Sequence, residues 1–441
     1  MEQAQLFEQP KDTSVSKKEA GKGKARILTA NRQQVEMHIA ALDSLISEDH
    51  KVRVVWEMAQ QYNLDTLYEQ IGSIEGEAGR PAIDPRILMA VWLYATSEGI
   101  GSGRELARLC EEHIAYRWLV GGVSVNYHTL ADFRVAHEVE LDQILTESVA
   151  ALISEGIVTL GCTAQDGVRV RASAGGGSFR REERLVSFLA EAEEAVQKLK
   201  ASGSAEDEDS QPRQQAAQRR AAHERVERVK QALQEIQKVK ESKERSHKNK
   251  AKRKPARAST TDPEARVMKM ADGGFRPAYN GEYAVDVESG VVVGVAGLNC
   301  IDQGQMIPML DQLEERYEQK PNQHLVDGGF VTQGDLDIAF ERKIDVYAPL
   351  PEEKPENGKV GELYQNQTPA VVAWRTRMNS EEGKRIYKDR CTSIEWVNAL
   401  ARNRGLQHFV VRGKQKIKAI LLWFALVHNL WVVYRLRQQA G

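Results

Sequence analysis

Residues 157–171 read IVTLGCTAQDGVRVR. Ile157, Val158, Thr159 and Thr163 are β-branched, and Val168 and Val170 alternate with polar residues after Asp166-Gly167. A repeat of two belongs to a pleated strand, whose successive side chains point to opposite faces. Before this stretch the apolar repeat is three to four, which is helical. The chain therefore passes from an all-helical segment into a sheet at about residue 157, with Asp166 near the end of the first strand.

Upstream, Leu42, Leu45 and Ile46, then Val52, Val55, Trp56 and Ala59, recur at helix spacing. Gly79-Arg80-Pro81 marks a turn. Asp84-Pro85 is a helix start, with Asp as N-cap and Pro in the first position. Ser102 and the segment VNYHTLADFR (125–134) open further helices. Short helices with tight turns suit a helix-turn-helix-like bundle, for DNA contact or for dimerisation. Residues 1–30 are polar, carry KKEAGKGKAR and have the composition of a disordered basic arm.

Downstream, the glycines at 175–177 break the strand pattern and a polar insertion follows. Leu185, Phe188, Ala192, Val196 and Leu199 form one helical stripe. Val226, Val229, Leu233 and Ile236 form a second, beyond an acidic linker at 206–209. Two stripes joined by a polar linker predict an antiparallel helical hairpin. Its tail is strongly basic and includes Lys250, Lys252, Arg253 and Lys254. Asp262-Pro263 reads as a helix cap.

Strands then return at Tyr283–Val287 and Val291–Leu298, around a Glu288-Ser289-Gly290 turn. Next come a helix at Met306–Tyr317, a short strand at His324–Asp327, a helix at Gln333–Phe340 and a strand at Ile344–Ala348. After a Pro/Gly/Glu-rich loop at 350–369, helices are expected at about 380–404 and 415–437. This order predicts a mixed sheet flanked by helices. Right-handed crossovers set the strands of Asp166 and Asp327 side by side. The expected domains are 31–155 (helical), 156–179 with 258–441 (the α/β domain) and 180–257 (the inserted hairpin).

The chain has 441 residues and a net charge of −2, but the charge is segregated. Residues 31–160 hold 9 Lys+Arg against 20 Asp+Glu. Residues 180–257 hold 21 against 14, and residues 373–441 hold 14 against 4. Basic excess in the later segments suits a polyanion partner. Four scattered cysteines, with no C-x-x-C pair, argue against zinc and against a disulfide framework. The N-terminal residues lack a secretory pattern. The apolar run 417–436 is interrupted by Lys418, His428, Asn429 and Arg435, so a buried helix is expected there rather than a membrane span. His428-Asn429 is expected to be a satisfied buried pair, and Trp374 and Trp396 to pack in the core. The expected compartment is the cytoplasm, with association to the nucleoid.

Asp166 and Asp327 end adjacent strands in this reading, and Glu395 lies in the basic C-terminal region. Carboxylates that meet at a sheet edge repel one another unless cations bind between them. Two divalent ions ~3.5–4 Å apart would relieve that repulsion and suit in-line attack at phosphorus. Oxygen-only ligands favour Mg²⁺ or Mn²⁺. Strand-terminal Asp is also a common turn former, and Asp286, Asp335 and Asp337 are competing acids.

Five stretches carry a family resemblance. RPAIDPRILMAVWLYATSEGIGSGRELARLCEEHIAYRWLVGG is similar to the helical domain of bacterial insertion-sequence DDE transposases. VTLGCTAQDGVRVRASAG resembles their first-Asp strand, and STTDPEARVMKMADGGFRPAYNGEYAVD the segment that re-enters the sheet. HLVDGGF resembles the second-Asp motif, and the region from KRIYKDRCTSIEW to LVHNL the third. The resemblance spans about residues 35–437. It implies a ribonuclease H-like catalytic domain and metal-dependent nicking of double-stranded transposon-end DNA. It also implies transfer of the 3′-ends into target DNA, by a homodimer on DNA. Asp166, Asp327 and Glu395 map onto the family's metal-binding acids, with Tyr387, Arg390 and Arg402 as phosphate contacts. Four residues separate Arg390 from Glu395 where one common form has three, and Arg402 stands where Lys is usual. A non-catalytic DNA-binding regulator derived from such an enzyme, or a self-associating scaffold built on residues 180–250, are the alternatives.

Overall fold

The structure, a computed structural model, describes residues 32–33, 35, 39–73, 81–202, 212–246, 255–351 and 368–440. The basic arm at 1–30, the turn residues Gly79 and Arg80, the acidic linker and the basic residues Lys250, Lys252, Arg253 and Lys254 lie outside the described residues.

A short 3-10 turn at Leu42–Leu45 leads into seven helices: α1 (Lys51–Gln61), α2 (Asp65–Glu69), α3 (Pro85–Ser97), α4 (Gly103–Glu112), α5 (Ile114–Val120), α6 (Tyr127–Ala136) and α7 (Glu138–Ser154). Their starts are written in the sequence. The Asp84 carboxylate accepts from Arg86 N at 2.8 Å with Pro85 in the first turn, and Ser102 and Asn126 cap α4 and α6 in the same way. Helix α3 is buried continuously from Leu88 to Thr96, so it is the central rod of the bundle.

The sheet begins with β1 (Cys162–Arg171). The insertion follows. It consists of β2 (Phe179–Arg180), α8 (Glu182–Ser202), α9 (Pro212–Ser246) and β3 (Ala258–Ser259). The two long helices meet along the expected stripes. Leu185 packs with Ala232 and Ile236, and Ala192 and Val196 pack with Val226. The two-residue pairing of β2 with β3 closes the base of this hairpin.

Beyond it come β4 (Arg266–Lys269), β5 (Phe275–Asp286), β6 (Val292–Leu298), α10 (Met306–Tyr317), β7 (Gln323–Leu325), α11 (Gln333–Glu341) and β8 (Asp345–Tyr347). The sheet order is β4-β5-β1-β7-β8, with β6 paired to β5. Strand β1 is antiparallel to β5 and parallel to β7, so the strand of Asp166 and the segment leading to Asp327 are neighbours as expected. Strand β4 was not foreseen. Asp272-Gly273-Gly274 turns the chain back from it, Gly273 taking a φ of 81°. No helix follows Asp262-Pro263 either. The Asp262 carboxylate is fully buried and accepts from Tyr279 Oη at 2.6 Å and Gly413 N at 3.3 Å, which ties two distant loops together.

The C-terminal part contains α12 (Pro369–Asn379), α13 (Glu381–Thr392), α14 (Ile394–Asn403) and α15 (Lys414–Ala440). The single helix expected over about 380–404 is broken at Ser393. Its hydroxyl donates back to Asp389 O at 2.7 Å, a local bond that competes with the helix ladder. Trp374 on α12 is buried, with its indole on Ala348 O, as expected of a core residue.

Helix α15 packs against β6 and against α3, α6 and α7, so the helical region and the sheet share one continuous core. It is long and apolar enough to cross a membrane by composition, yet most of it is buried within the protein. The Trp423 indole donates to Arg134 O. Asn429 accepts from Val292 N and donates to Val292 O, and His428 Nε2 bonds Gly290 O, so the buried pair is satisfied. The sheet approaches α15 closely at Gly281, where a Cβ would lie 2.7 Å from Leu421 Cδ2.

Candidate active site

Asp166 on β1 and Glu395 on α14 share one arginine, and Asp327, beyond the end of β7, acts electrostatically on that arginine. Asp166 is the fifth of ten residues in β1, so it lies mid-strand rather than near the strand's end. Its parallel partner β7 pairs only with Cys162–Ala164, the last pair being Ala164 with Leu325. Asp166 and Asp327 are each two residues beyond that pair. Strand β7 stops there because the chain turns at Gly328-Gly329. Asp327 Oδ1 accepts from Gly328 N at 2.7 Å, and its carbonyl accepts from Phe330 N. This leaves Asp327 exposed beside the uncovered half of β1.

Helices α13 and α14 close over Asp166. Arg390, buried at the end of α13, places one guanidinium nitrogen 2.9 Å from Asp166 Oδ1 and another 2.6 Å from Glu395 Oε1. Asn398, one turn beyond Glu395 on α14, donates Nδ2 to Asp166 Oδ2 at 2.9 Å. Asp327 and Glu395 also act electrostatically on Arg390 and on the half-buried Tyr387. Burial pushes the Asp166 carboxyl above its ordinary range, against the pull of Arg390, the Gly167 amide and Asn398. Arg390 keeps a raised pKa, because Asp166 leads the surrounding negative groups that outweigh the burial. Tyr387 is also raised, first by burial.

Among the described residues no group of three or more His, Cys, Asp or Glu stands close enough to hold a metal ion directly. The Arg390 guanidinium stands between Asp166 and Glu395, where the acids already surround a cation. Asp166, Asp327 and Glu395 offer only anionic oxygens, the donor chemistry of a hard divalent ion. Arg402 occupies the exposed last turn of α14 and makes no ion pair among the described residues. Trp396 turns away from the acids. It packs edge-on to His428, under the Arg435 guanidinium at 4.9 Å. Of the competing acids, Asp286 binds Leu160 N and Ser289, and Asp335 sits in the first turn of α11, so both serve local structure.

Asn398 was not foreseen, although its place three residues after Glu395 puts both on one helix face. Also unforeseen is a polar network on the opposite face of β1. His324 on β7 bonds Thr163 Oγ1 at 2.8 Å and Gln165 Oε1 at 3.2 Å. Gln165 Nε2 donates to Glu282, and Asn280 Nδ2 donates to both Glu282 and Asp302. Arg169 pairs with Asp302 at 3.2 Å. Burial raises Glu282 to about 8, the Asp302 and Asp166 charges adding to it, and burial holds His324 neutral down to about 3.

The comparisons with known proteins divide along the same lines. Residues 40–136, which run from the first helices through α6, match the family described as transposase domain (DUF772). Residues 354–434, which run through α12–α14 and most of α15, match the family described as transposase DDE domain. No curated protein and no solved structure matches the chain. DDE domains work with divalent metal ions and act on DNA as endonucleases and strand transferases. A helical transposase domain preceding a transposase DDE domain makes the chain similar to the insertion-sequence DDE transposases over these two regions, and the two matches together support that reading.

Proposed function

We propose that Asp166, Asp327 and Glu395 form the catalytic triad of this transposase, on a ribonuclease H-like sheet formed by 156–179 and 258–441. The substrates are double-stranded transposon-end DNA, which is nicked, and target DNA, which receives the 3′-ends. The observation that carries this reading is the Arg390 bridge. Acids from β1 and α14 share one guanidinium, with Asp327 within its electrostatic reach. The cofactor in this reading is Mg²⁺ or Mn²⁺, as two ions held by the three acids. When bound, such ions supply charge neutralisation at the phosphate and lower the pKa of the attacking hydroxyl or water.

The protein's own residues have distinct tasks. Asn398 holds Asp166 by one oxygen and leaves the other facing Arg390. Arg390 keeps the acids apart from one another before loading and must release them. A guanidinium freed in this way is suited to a DNA phosphate, which it can grip through two nitrogens. Tyr387 beside it and Arg402 two turns along α14 extend phosphate contact on either side of Glu395. The basic residues Lys250, Lys252, Arg253 and Lys254 would add backbone affinity next to the inserted hairpin. Residues 31–155 and the hairpin are the surfaces proposed for DNA contact and for pairing two copies on DNA, within the cytoplasm and at the nucleoid.

The test is strand nicking of a duplex taken from DNA immediately flanking the reading frame, with Mg²⁺ and with EDTA. Cleavage is expected with Mg²⁺ alone, and Asp166→Asn, Asp327→Asn and Glu395→Gln should each abolish it while duplex binding remains. Normal cutting by any one of the three would remove that residue from the triad. Binding without metal-dependent cutting by the wild-type chain would instead favour a regulator.

A further inference from the structure

Where the helical region meets the loop after α14, a cavity of about 170 Å³ is lined by two arginines and no carboxylate. Arg134, from α6, is only 7% exposed. One of its terminal nitrogens donates to Gly101 O, and its guanidinium lies 4.6 Å from the centre of the Trp92 ring. Its Nε has no partner, and neither has the buried Thr96 Oγ1, which lines the same cavity. Burial alone depresses Arg134, to about 10, with no acid acting to restore it. Arg404 on the opposite wall is also depressed, first by burial and then by Arg435, with Glu98 in partial opposition.

A buried guanidinium without a counter-charge is costly, and an aromatic face offsets only part of that cost. Two other arginines follow the usual rule. The buried Arg390 has two carboxylates, and Arg316 has Asp142. Arg134 departs from it, and the partly buried Arg404, only partly offset by Glu98, lines the same space with an unused hydroxyl, a donor set that suits a tetrahedral oxyanion. His408 lines this cavity and also a larger groove of about 580 Å³. The groove carries Arg171 and Arg412, an exposed Phe275 and no acidic residue.

We propose that the Arg134–Arg404 cavity is a phosphate-binding site that takes one backbone phosphate of DNA, the strand leaving past His408 into the Arg171–Arg412 groove. The DNA half of this assignment rests on the transposase reading above. The same chemistry would accept free phosphate, so the test separates the two sources.

Thermal melting of the full chain in potassium phosphate is compared with potassium chloride at equal ionic strength. The wild type should melt a few degrees higher in phosphate, by ligand linkage. Arg404→Gln and Thr96→Val should lose most of that shift. Arg134→Lys serves as a third variant whose failure to fold would not affect the other two. In parallel, affinity for a random-sequence 30-bp duplex is measured across a salt series. Arg404→Gln should bind about tenfold more weakly, with the salt slope lower by about 1, and Arg171→Ala/Arg412→Ala should lower it by about 2. A phosphate shift lost in Arg404→Gln with unchanged duplex affinity would overturn the DNA assignment and leave a free-phosphate site. A wild type with no phosphate-specific shift, and Arg404→Gln with wild-type duplex affinity, would overturn the proposal. Nicking by the same preparations is scored separately. A chain that fails to cut but shows both effects contradicts the catalytic reading alone.

Discussion

The two faces of β1 carry polar groups in different ways. On one face Asp166 meets Arg390 and Asn398 from helices, and its partners Glu395 and Asp327 are exposed. On the other face Gln165 and Arg169 meet Glu282, Asn280, Asp302 and His324, with all but Arg169 and Asp302 buried. The first cluster has its charges balanced by a single guanidinium, that of Arg390. The second is bonded across β1, β5 and β7 and locks those strands in register. The catalytic role proposed for Asp166 would need such a rigid back, because a site loosened by an ångström loses much of its activity.

The largest losses of activity are expected on the Asp166 face. Asp166→Asn and Asp327→Asn should each reduce Mg²⁺-dependent nicking by at least about 10³-fold, with folding intact by circular dichroism. Glu395→Gln should do the same, and it is the most informative of the three because its spacing from Arg390 departs from one common family form. Full nicking by Glu395→Gln would leave Arg390 bridging Asp166 to a bystander.

On the opposite face the largest effect should come from Gly167→Ala. A Cβ there would lie 2.5 Å from Asp302 Oδ1 and 2.7 Å from Asn280 Oδ1, so the network must open. A loss of about 2–3 kcal/mol in urea unfolding is expected. A neutral result would mean the network is loose.

Glu282 offers a finer probe. Its folded pKa, about 8, lies above its ordinary 4.5, so the folded state holds the extra proton between those values. Its contribution to stability is therefore full below pH 4.5 and lost as pH rises through about 8. Glu282→Gln, which resembles the protonated form, should flatten that slope and stabilise the protein at pH 8 by roughly 1–2 kcal/mol. Parallel pH profiles of wild type and variant would show that Glu282 is ionised in the fold.

Asn398→Ala should have the smallest effect. It removes one hydrogen bond to a carboxylate, for about 1 kcal/mol of stability. It should also cut nicking roughly tenfold by freeing Asp166 to rotate, and raise the Mg²⁺ concentration needed for half-maximal rate. Lower activity with unchanged Mg²⁺ dependence would limit Asn398 to packing.

Much of the architecture was legible beforehand. The helix starts at Asp84 and Ser102, the stripes of α8 and α9, and the switch of period near 157 are local patterns, set by residues within a turn or two. The break at Ser393 was missed because one hydroxyl bonding its own backbone decides it. Strand β4 was missed because a four-residue strand carries too short an alternation. The acid trio could be named from strand order together with family resemblance. Its wiring through Arg390 could not, since Asp166 and Arg390 are 224 positions apart and meet only when α13 docks.

The order of helices and strands and the basic and acidic segments are set locally by the sequence. Tertiary structure alone decided that Asp166 sits mid-strand under Asn398, that Glu282 faces away into a buried network, and that Arg134 lacks a counter-charge. Periodicity and capping are read over a few neighbouring residues. A side chain's partner and its access to water depend on strand register and helix docking between segments far apart in the chain.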